Sequence, residues 1–152
     1  MAKAKLPKNT IINRRAKFDF ELGDSLTVGI ELTGAEAKSL RMGHGHLRGA
    51  YVNVKDNELI LTNATINGTN GISISEQDQT RPRKLLAKRA QINSLIEAKK
   101  QGRTIVPLSV ITSGRYIKLK IAIGKGQKRY DKRQALKKRT EQRQIARLIK
   151  NN

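Results

Sequence analysis

Residues 116–133 read Y-I-K-L-K-I-A-I-G-K-G-Q-K-R-Y-D-K-R, and within them a folded body gives way to a basic tail. In the first half, Ile117, Leu119, Ile121 and Ile123 fall on one face, the period-2 pattern of a half-buried strand. Beyond Gly124 the pattern stops. From 125 to 150 there are eleven Lys or Arg against two acids, Asp131 and Glu141, and the apolar side chains are too scattered to build a core. Helical backbone is permitted there, because Asp131 can cap with Gln134 three residues on and no Gly or Pro follows. Against it stand like charges four residues apart, such as Lys128/Lys132, Arg133/Lys137 and Arg139/Arg143, each pair costing a helix roughly 0.2–0.5 kcal/mol. The expectation is a tail largely disordered alone that becomes helical when a polyanion neutralises it.

Moving outward, 104–112 and 116–123 form a predicted long hairpin about Ser113-Gly114-Arg115, with Pro107 marking an edge or a bulge. Before it, Ile92, Leu95 and Ile96 at i, i+3, i+4, followed by Lys99, Lys100 and Gly102, predict an amphipathic helix over 88–101. Arg81-Pro82-Arg83-Lys84-Leu85-Leu86 opens this basic segment, and its proline argues against a helix at Arg81. Residues 51–55 and 59–66 read as a hairpin about Asp56-Asn57, 72–74 as a further short strand and 75–80 as irregular. Thr33-Gly34-Ala35-Glu36 is a capping box for a short bridging helix that Gly43 ends. Strands are expected at 18–22 and 26–32, separated by a turn at Gly23-Asp24-Ser25. His44-Gly45-His46 falls in a loop without a third ligand at metal-binding spacing, so no metal site is expected.

At 152 residues the chain is sized for one domain with tails: a flexible basic arm at 1–12, a folded body at 13–124 and the tail at 125–152. Six or seven short strands with two or three peripheral helices are most economically a small closed antiparallel β-barrel of oligonucleotide-binding type, since closure removes exposed edges. The formal net charge of +20 asks for an anionic partner. That charge is concentrated on particular elements: 18–80 carry nine acids against four basic residues, whereas 81–103 carry eight basic residues and one acid. Five aromatics and no Trp are poor provision for stacking successive bases, so phosphate contacts and RNA shape should dominate recognition.

Without Cys, disulfides and thiolate metal sites are excluded, and no apolar run approaches a membrane span or a secretory signal, so a soluble cytosolic protein without a membrane role is expected. A nuclease would need converging carboxylates for its metals, and no D-x-D or H-x-x-E cluster occurs. An RNA-binding adaptor and a structural ribosomal or nucleoid protein remain.

Six stretches in order carry a resemblance: N-R-R-A (13–16), G-I-E-L-T-G-A-E-A-K-S-L-R (29–41), Y-V-N-V (51–54), R-P-R-K-L-L (81–86), V-P-L (106–108) and K-G-Q-K-R-Y-D-K-R (125–133). In these the chain resembles the small protein B, or SsrA-binding, family of bacterial ribosome rescue. The resemblance implies an oligonucleotide-binding-like barrel, no enzymatic activity, no cofactor and a monomer. It implies binding to the tRNA-like domain of transfer-messenger RNA, delivery to the empty A site of a stalled ribosome, and a meeting with elongation factor Tu through the shared RNA. By position, Asn13, Phe20, Arg83, Lys84, Leu85, Lys125 and Lys128 would belong to the RNA-binding surface. Tyr130, Asp131, Lys132 and Arg133 would lie at the decoding centre, and Leu148 and Ile149 at the apolar tail positions linked to accommodation. The chain departs from the family in having Thr27 where an acid is usual, Phe20 where Tyr is usual and Gln127 in place of a lysine.

Overall fold

The computed structural model describes residues 10–126 and 129–151, with residues 129–131 as backbone alone. Among the described residues, nine strands and five helices follow in the order β1 (Ile11–Ile12), α1 (Ala16–Asp19), β2 (Phe20–Ile30), α2 (Gly34–Arg41), β3 (Gly45–His46), β4 (Tyr51–Lys55), β5 (Glu58–Thr62), β6 (Thr65–Ile66), α3 (Glu76–Gln79), β7 (Arg83–Leu86), α4 (Arg89–Lys100), β8 (Thr104–Ile111), β9 (Lys118–Gly126) and α5 (Arg129–Lys150). The main sheet runs β1-β8-β4-β5-β7-β2-β9, and β9 also pairs with β8. Six antiparallel strands therefore close into a ring, with β1 attached to its outside edge. This is the expected barrel, and closure leaves the six strands without a free edge among them.

The alternation read in 116–123 becomes burial as far as Ile121, beyond which Ala122 is also buried and Ile123 only partly so. Leu119 and Ile121 are fully enclosed together with Leu59, Leu61, Leu85, Leu95 and Ile105. The β4–β5 hairpin turns where expected, with Asp56 and Asn57 at φ 52° and 60°, the left-handed pair that a two-residue hairpin requires. α2 begins with the capping box: the Glu36 N–H donates to Thr33 Oγ1 at 3.2 Å and the Thr33 N–H to Glu36 Oε2 at 3.1 Å. α4 covers the ring with Ile92, Leu95 and Ala98.

Pro107 does sit at a bulge. Pro107 pairs with Ile121 and Ser109 with Lys120, so one extra residue stands on β8. Asn13 clamps that bulge, its Nδ2 donating to the Pro107 carbonyl at 2.9 Å and its backbone N–H to the Leu108 carbonyl at 2.8 Å.

Several expectations are corrected. The strand expected at 18–22 is split, because Ala16–Asp19 is a helical turn and β2 starts at Phe20. Gly23-Asp24-Ser25 is no turn between strands. Leu22 pairs with Gly124 and Ser25 with Ala122, so the extra residue is absorbed as a bulge inside one long strand whose partner continues past it. Ile72 makes only an isolated bridge to Thr69, and 75–80 contains α3, capped by Ser75 at the Asp78 N–H. The arm expected over 1–12 stops short, since Ile11 and Ile12 pair with Val110 and Ser109; residues 1–9 lie outside those described. The tail expected to be disordered alone is a helix, and it starts at Arg129, ahead of the cap expected at Asp131. Its many Lys, Arg, Gln, Ala and Leu are good helix formers, and their summed propensity is what the like-charge pairs have to overcome.

Candidate nucleic-acid interface

Period 2 along β7 sorts the basic segment into two populations. Arg83 and Leu85 point into the ring while Lys84 and Leu86 point out. Arg83 has a side chain 0% exposed. Its guanidinium donates to Glu36 Oε1 from Nε at 3.2 Å and Nη2 at 3.1 Å, and to the carbonyls of Ala64, Arg81, Asp78 and Gln79. Arg81 closes the other side of Glu36 in a two-pronged pair of 2.7 and 2.8 Å. Burial pushes the Glu36 carboxyl up, but hydrogen bonds from Arg81, the Thr33 N–H and Arg83, and the charge of Arg83, hold it below its ordinary value. Burial pulls Arg83 down from its ordinary value, and the bonds and charge of Glu36 oppose that. Arg83 and Leu85, expected at the RNA surface, thus belong to the interior: one ties α2, α3 and β7 together and the other fills the core. Glu36, expected only to start a helix, is the anionic centre of this cluster. The available signal was the alternation of R-K-L-L itself.

On the outside, β7, β2 and β9 lie side by side. Leu86 pairs with Gly29, Gly29 with Lys118, and Thr27 with Lys120. Leu86 is 52% exposed and lies across the glycine: a Cβ at position 29 would come within 3.1 Å of Leu86 Cβ. A groove of about 480 Å³ results, lined by Thr27, Gly29, Leu86, Lys88, Gln91 and Lys118. Lys84 flanks it, paired at 2.9 Å with Glu58, whose carboxylate raises the lysine above its ordinary value. Leu86, Lys88, Lys118 and Lys120 were not among the expected site residues, because a lone apolar residue followed by scattered lysines carries no motif. Strand pairing is what brings them together.

Phe20 and Lys125 sit at the other end of the same strands. Phe20 pairs with Gly126, and Glu21 with Lys125, beside a cavity of about 270 Å³ that also involves Gly23, Arg103 and Gly124. From Gly29 to Glu21 is eight residues along β2, roughly 26 Å at about 3.3 Å per residue. The expected surface residues therefore divide between two ends of the barrel. Asn13 is committed to the β8 bulge, and Lys128 lies outside the described residues.

α5 leaves from the Phe20 and Lys125 end. Lys132 Nζ pairs with Asp19 Oδ1 at 3.3 Å and lies over the Phe18 ring, 6.0 Å from its centroid. Such a partly exposed pair is worth about 0–1 kcal/mol, so the seat is weak. Arg133 is exposed, and past Ala135 every described residue is exposed. Leu148 and Ile149 stand 67% and 71% exposed with Ile145 on the distal part of a helix roughly 33 Å long at 1.5 Å per residue. Of Tyr130 and Asp131 only the backbone is described. Among the described residues no group of three or more His, Cys, Asp or Glu could hold a metal ion, and no helix is long and apolar enough to cross a membrane.

Residues 10–151 match the family model described as SmpB protein. An SsrA-binding protein of Acidiphilium cryptum (strain JF-5) is 44% identical over 141 residues, covering 91% of this chain and 89% of the relative. One of Enterococcus faecalis (strain ATCC 700802 / V583) is 40% identical over 141 residues, covering 92% of each. A solved structure described as "tmRNA-SmpB: a journey to the center of the bacterial ribosome" superposes with a TM-score of 0.67 at 32% identity, covering 84% of this chain and 94% of that one. Identity at this level along nearly the whole of both partners admits one assignment: the chain belongs to the SmpB family.

Proposed function

We propose that this chain is the protein partner of a transfer-messenger RNA in trans-translation: it holds the tRNA-like part of that RNA and brings it to the empty A site of stalled ribosomes in the cytoplasm. The observation that carries this reading is the outer face of β7, β2 and β9, where exposed Leu86 lies between Lys88, Lys118 and Lys120. Lysines on a fixed strand supply the salt-dependent phosphate contacts. An apolar side chain held flat over Gly29 supplies a surface against which a sugar or base edge packs. Phe20 and Lys125 at the far end give a second contact, to which Lys128 contributes by its family position, and elongation factor Tu meets the complex through the shared RNA.

The tail has a separate task. Tyr130, Asp131, Lys132 and Arg133 act at the decoding centre, and Leu148 and Ile149 on the distal turns engage the vacant messenger channel, where rRNA phosphates neutralise the like-charge pairs of α5. A weak seat on Asp19 suits a tail that must be redirected. The protein acts by binding and performs no chemical step; its carboxylates at Asp19, Glu36 and Glu58 are engaged in ion pairs.

Titrating the cognate RNA over a range of salt tests the face. Lys118→Ala should reduce the slope of log affinity against log salt by about 1. Leu86→Ala should weaken binding about tenfold, the equivalent of roughly 1.4 kcal/mol of lost apolar contact, with the slope unchanged. Neither variant altering affinity would remove this face from the account.

A further inference from the structure

We infer, building on the RNA-binding reading above, that the loop joining β8 to β9 is a further binding element: Arg115 and Tyr116 form a stacking platform for one unpaired nucleobase of the bound RNA. Burial alternates through this stretch, with Ile117 and Leu119 inside and Tyr116, Lys118 and Lys120 exposed. Tyr116 stands in the loop two residues ahead of Lys118, which opens β9 and lines the groove. Its ring is 69% exposed, a large apolar surface left in water by a chain that has only five aromatic residues. The Arg115 guanidinium carbon lies 5.6 Å from the ring centroid, so one face is covered by a cation and the other is open to a flat partner.

The loop is held in one shape by a residue from elsewhere. Arg41, on the last turn of α2, donates from Nη1 to the carbonyls of Thr112 and Gly114 at 2.9 and 3.0 Å, and from Nη2 to that of Arg115 at 2.8 Å. A guanidinium fork bonded to three carbonyls of one loop holds the backbone beneath the platform before any ligand arrives, which lowers the ordering cost of binding. Charge selects the partner class. Arg115 lies over the ring, Lys118 and Lys120 are exposed further along the same segment, the acids of β2, Glu21 and Asp24, lie toward its other end, and Glu31 follows its last residue. A nucleobase offers the π-face and its phosphate the anion; base–aromatic stacking is worth about 1–3 kcal/mol, or roughly 5- to 150-fold in affinity.

Full-length Tyr116→Ala and Tyr116→Phe would be titrated with a cognate transfer-messenger RNA transcript across a salt series, alongside melting curves and ultraviolet crosslinking read by mass spectrometry. Tyr116→Ala should bind roughly 5- to 150-fold more weakly with an unchanged salt slope. Its melting temperature should be unaltered, Tyr116→Phe should bind like the parent, and a nucleotide adduct should map to Tyr116. Parental affinity in Tyr116→Ala while the parent binds tightly would overturn the platform and leave the RNA-binding reading intact. The same holds if that variant loses only ribosome engagement, which would make the loop face another partner. A parent that does not prefer this transcript over bulk tRNA would overturn both.

Discussion

Glu36→Ala should lower folding stability by about 3–5 kcal/mol, because it leaves the buried Arg83 cation without its anion; for a chain of this length that is roughly 6–20 °C in melting temperature. The size follows from the geometry. Glu36 and Arg83 are both fully enclosed, and Arg83 spends its remaining N–H groups on four backbone carbonyls, those of Asp78 and Gln79 in α3 and of Ala64 and Arg81. Removing the carboxylate therefore loosens three elements at once. Glu36→Ala combined with Arg83→Met should recover part of the loss, since the second change takes away the orphaned charge. The pH dependence has a definite sign. Glu36 sits below its ordinary 4.5 in the folded state, so its contribution is fully present above about 4.5 and is lost as pH falls through the lower folded value. Thermal melts at neutral and acidic pH check this; a parent and Glu36→Ala that differ by less than about 1 kcal/mol at neutral pH would contradict it.

Replacing Asp131-Lys132-Arg133 with alanines should stop peptide tagging on stalled ribosomes while leaving affinity for transfer-messenger RNA nearly unchanged. The groove of Leu86 and Lys118 lies at the opposite end of β2 and β9 from the start of α5, and the second RNA contact at Phe20 and Lys125 does not include the three replaced residues, so RNA affinity should change little. Folding should also survive, because the seat of Lys132 on Asp19 and Phe18 is a partly exposed contact worth about 0–1 kcal/mol. Tagging in a reconstituted translation system and RNA titration of the same preparation check the division. A large fall in RNA affinity would mean that the base of the tail is part of the RNA grip.

How far the sequence could be read is best seen in particular residues. The alternation over 117–121 and the Asp56-Asn57 turn were legible because local chemistry decides them, and the barrel followed from counting strands that need closure. Pro107 announced an edge or a bulge, because a residue without an N–H interrupts the ladder wherever it falls, and the register against β9 selects the bulge. Gly23-Asp24-Ser25 misled, since the same residues suit a turn or a bulge and only the continuing partner strand β9 selects between them. Family position placed Arg83 on the RNA surface, whereas a four-residue strand turns it inward onto Glu36, 47 residues away in the chain. The groove of Thr27, Gly29, Leu86 and Lys118 had no local signature at all; it exists through pairing of three strands. A basic tail, finally, is legible as charge, but its helical state balances propensity against repulsion too finely for composition to decide.

The central claim, that this chain holds one small structured RNA rather than nucleic acid in general, is tested most directly by sequencing the RNA that co-purifies with the full-length protein at moderate salt. Non-specific phosphate binding weakens steeply as salt rises, while shape-specific binding persists. The account predicts one enriched RNA with an alanine-tRNA-like end and an internal reading frame. Bulk ribosomal RNA or DNA recovered in proportion to abundance would contradict it and put a structural nucleic-acid-binding role in its place.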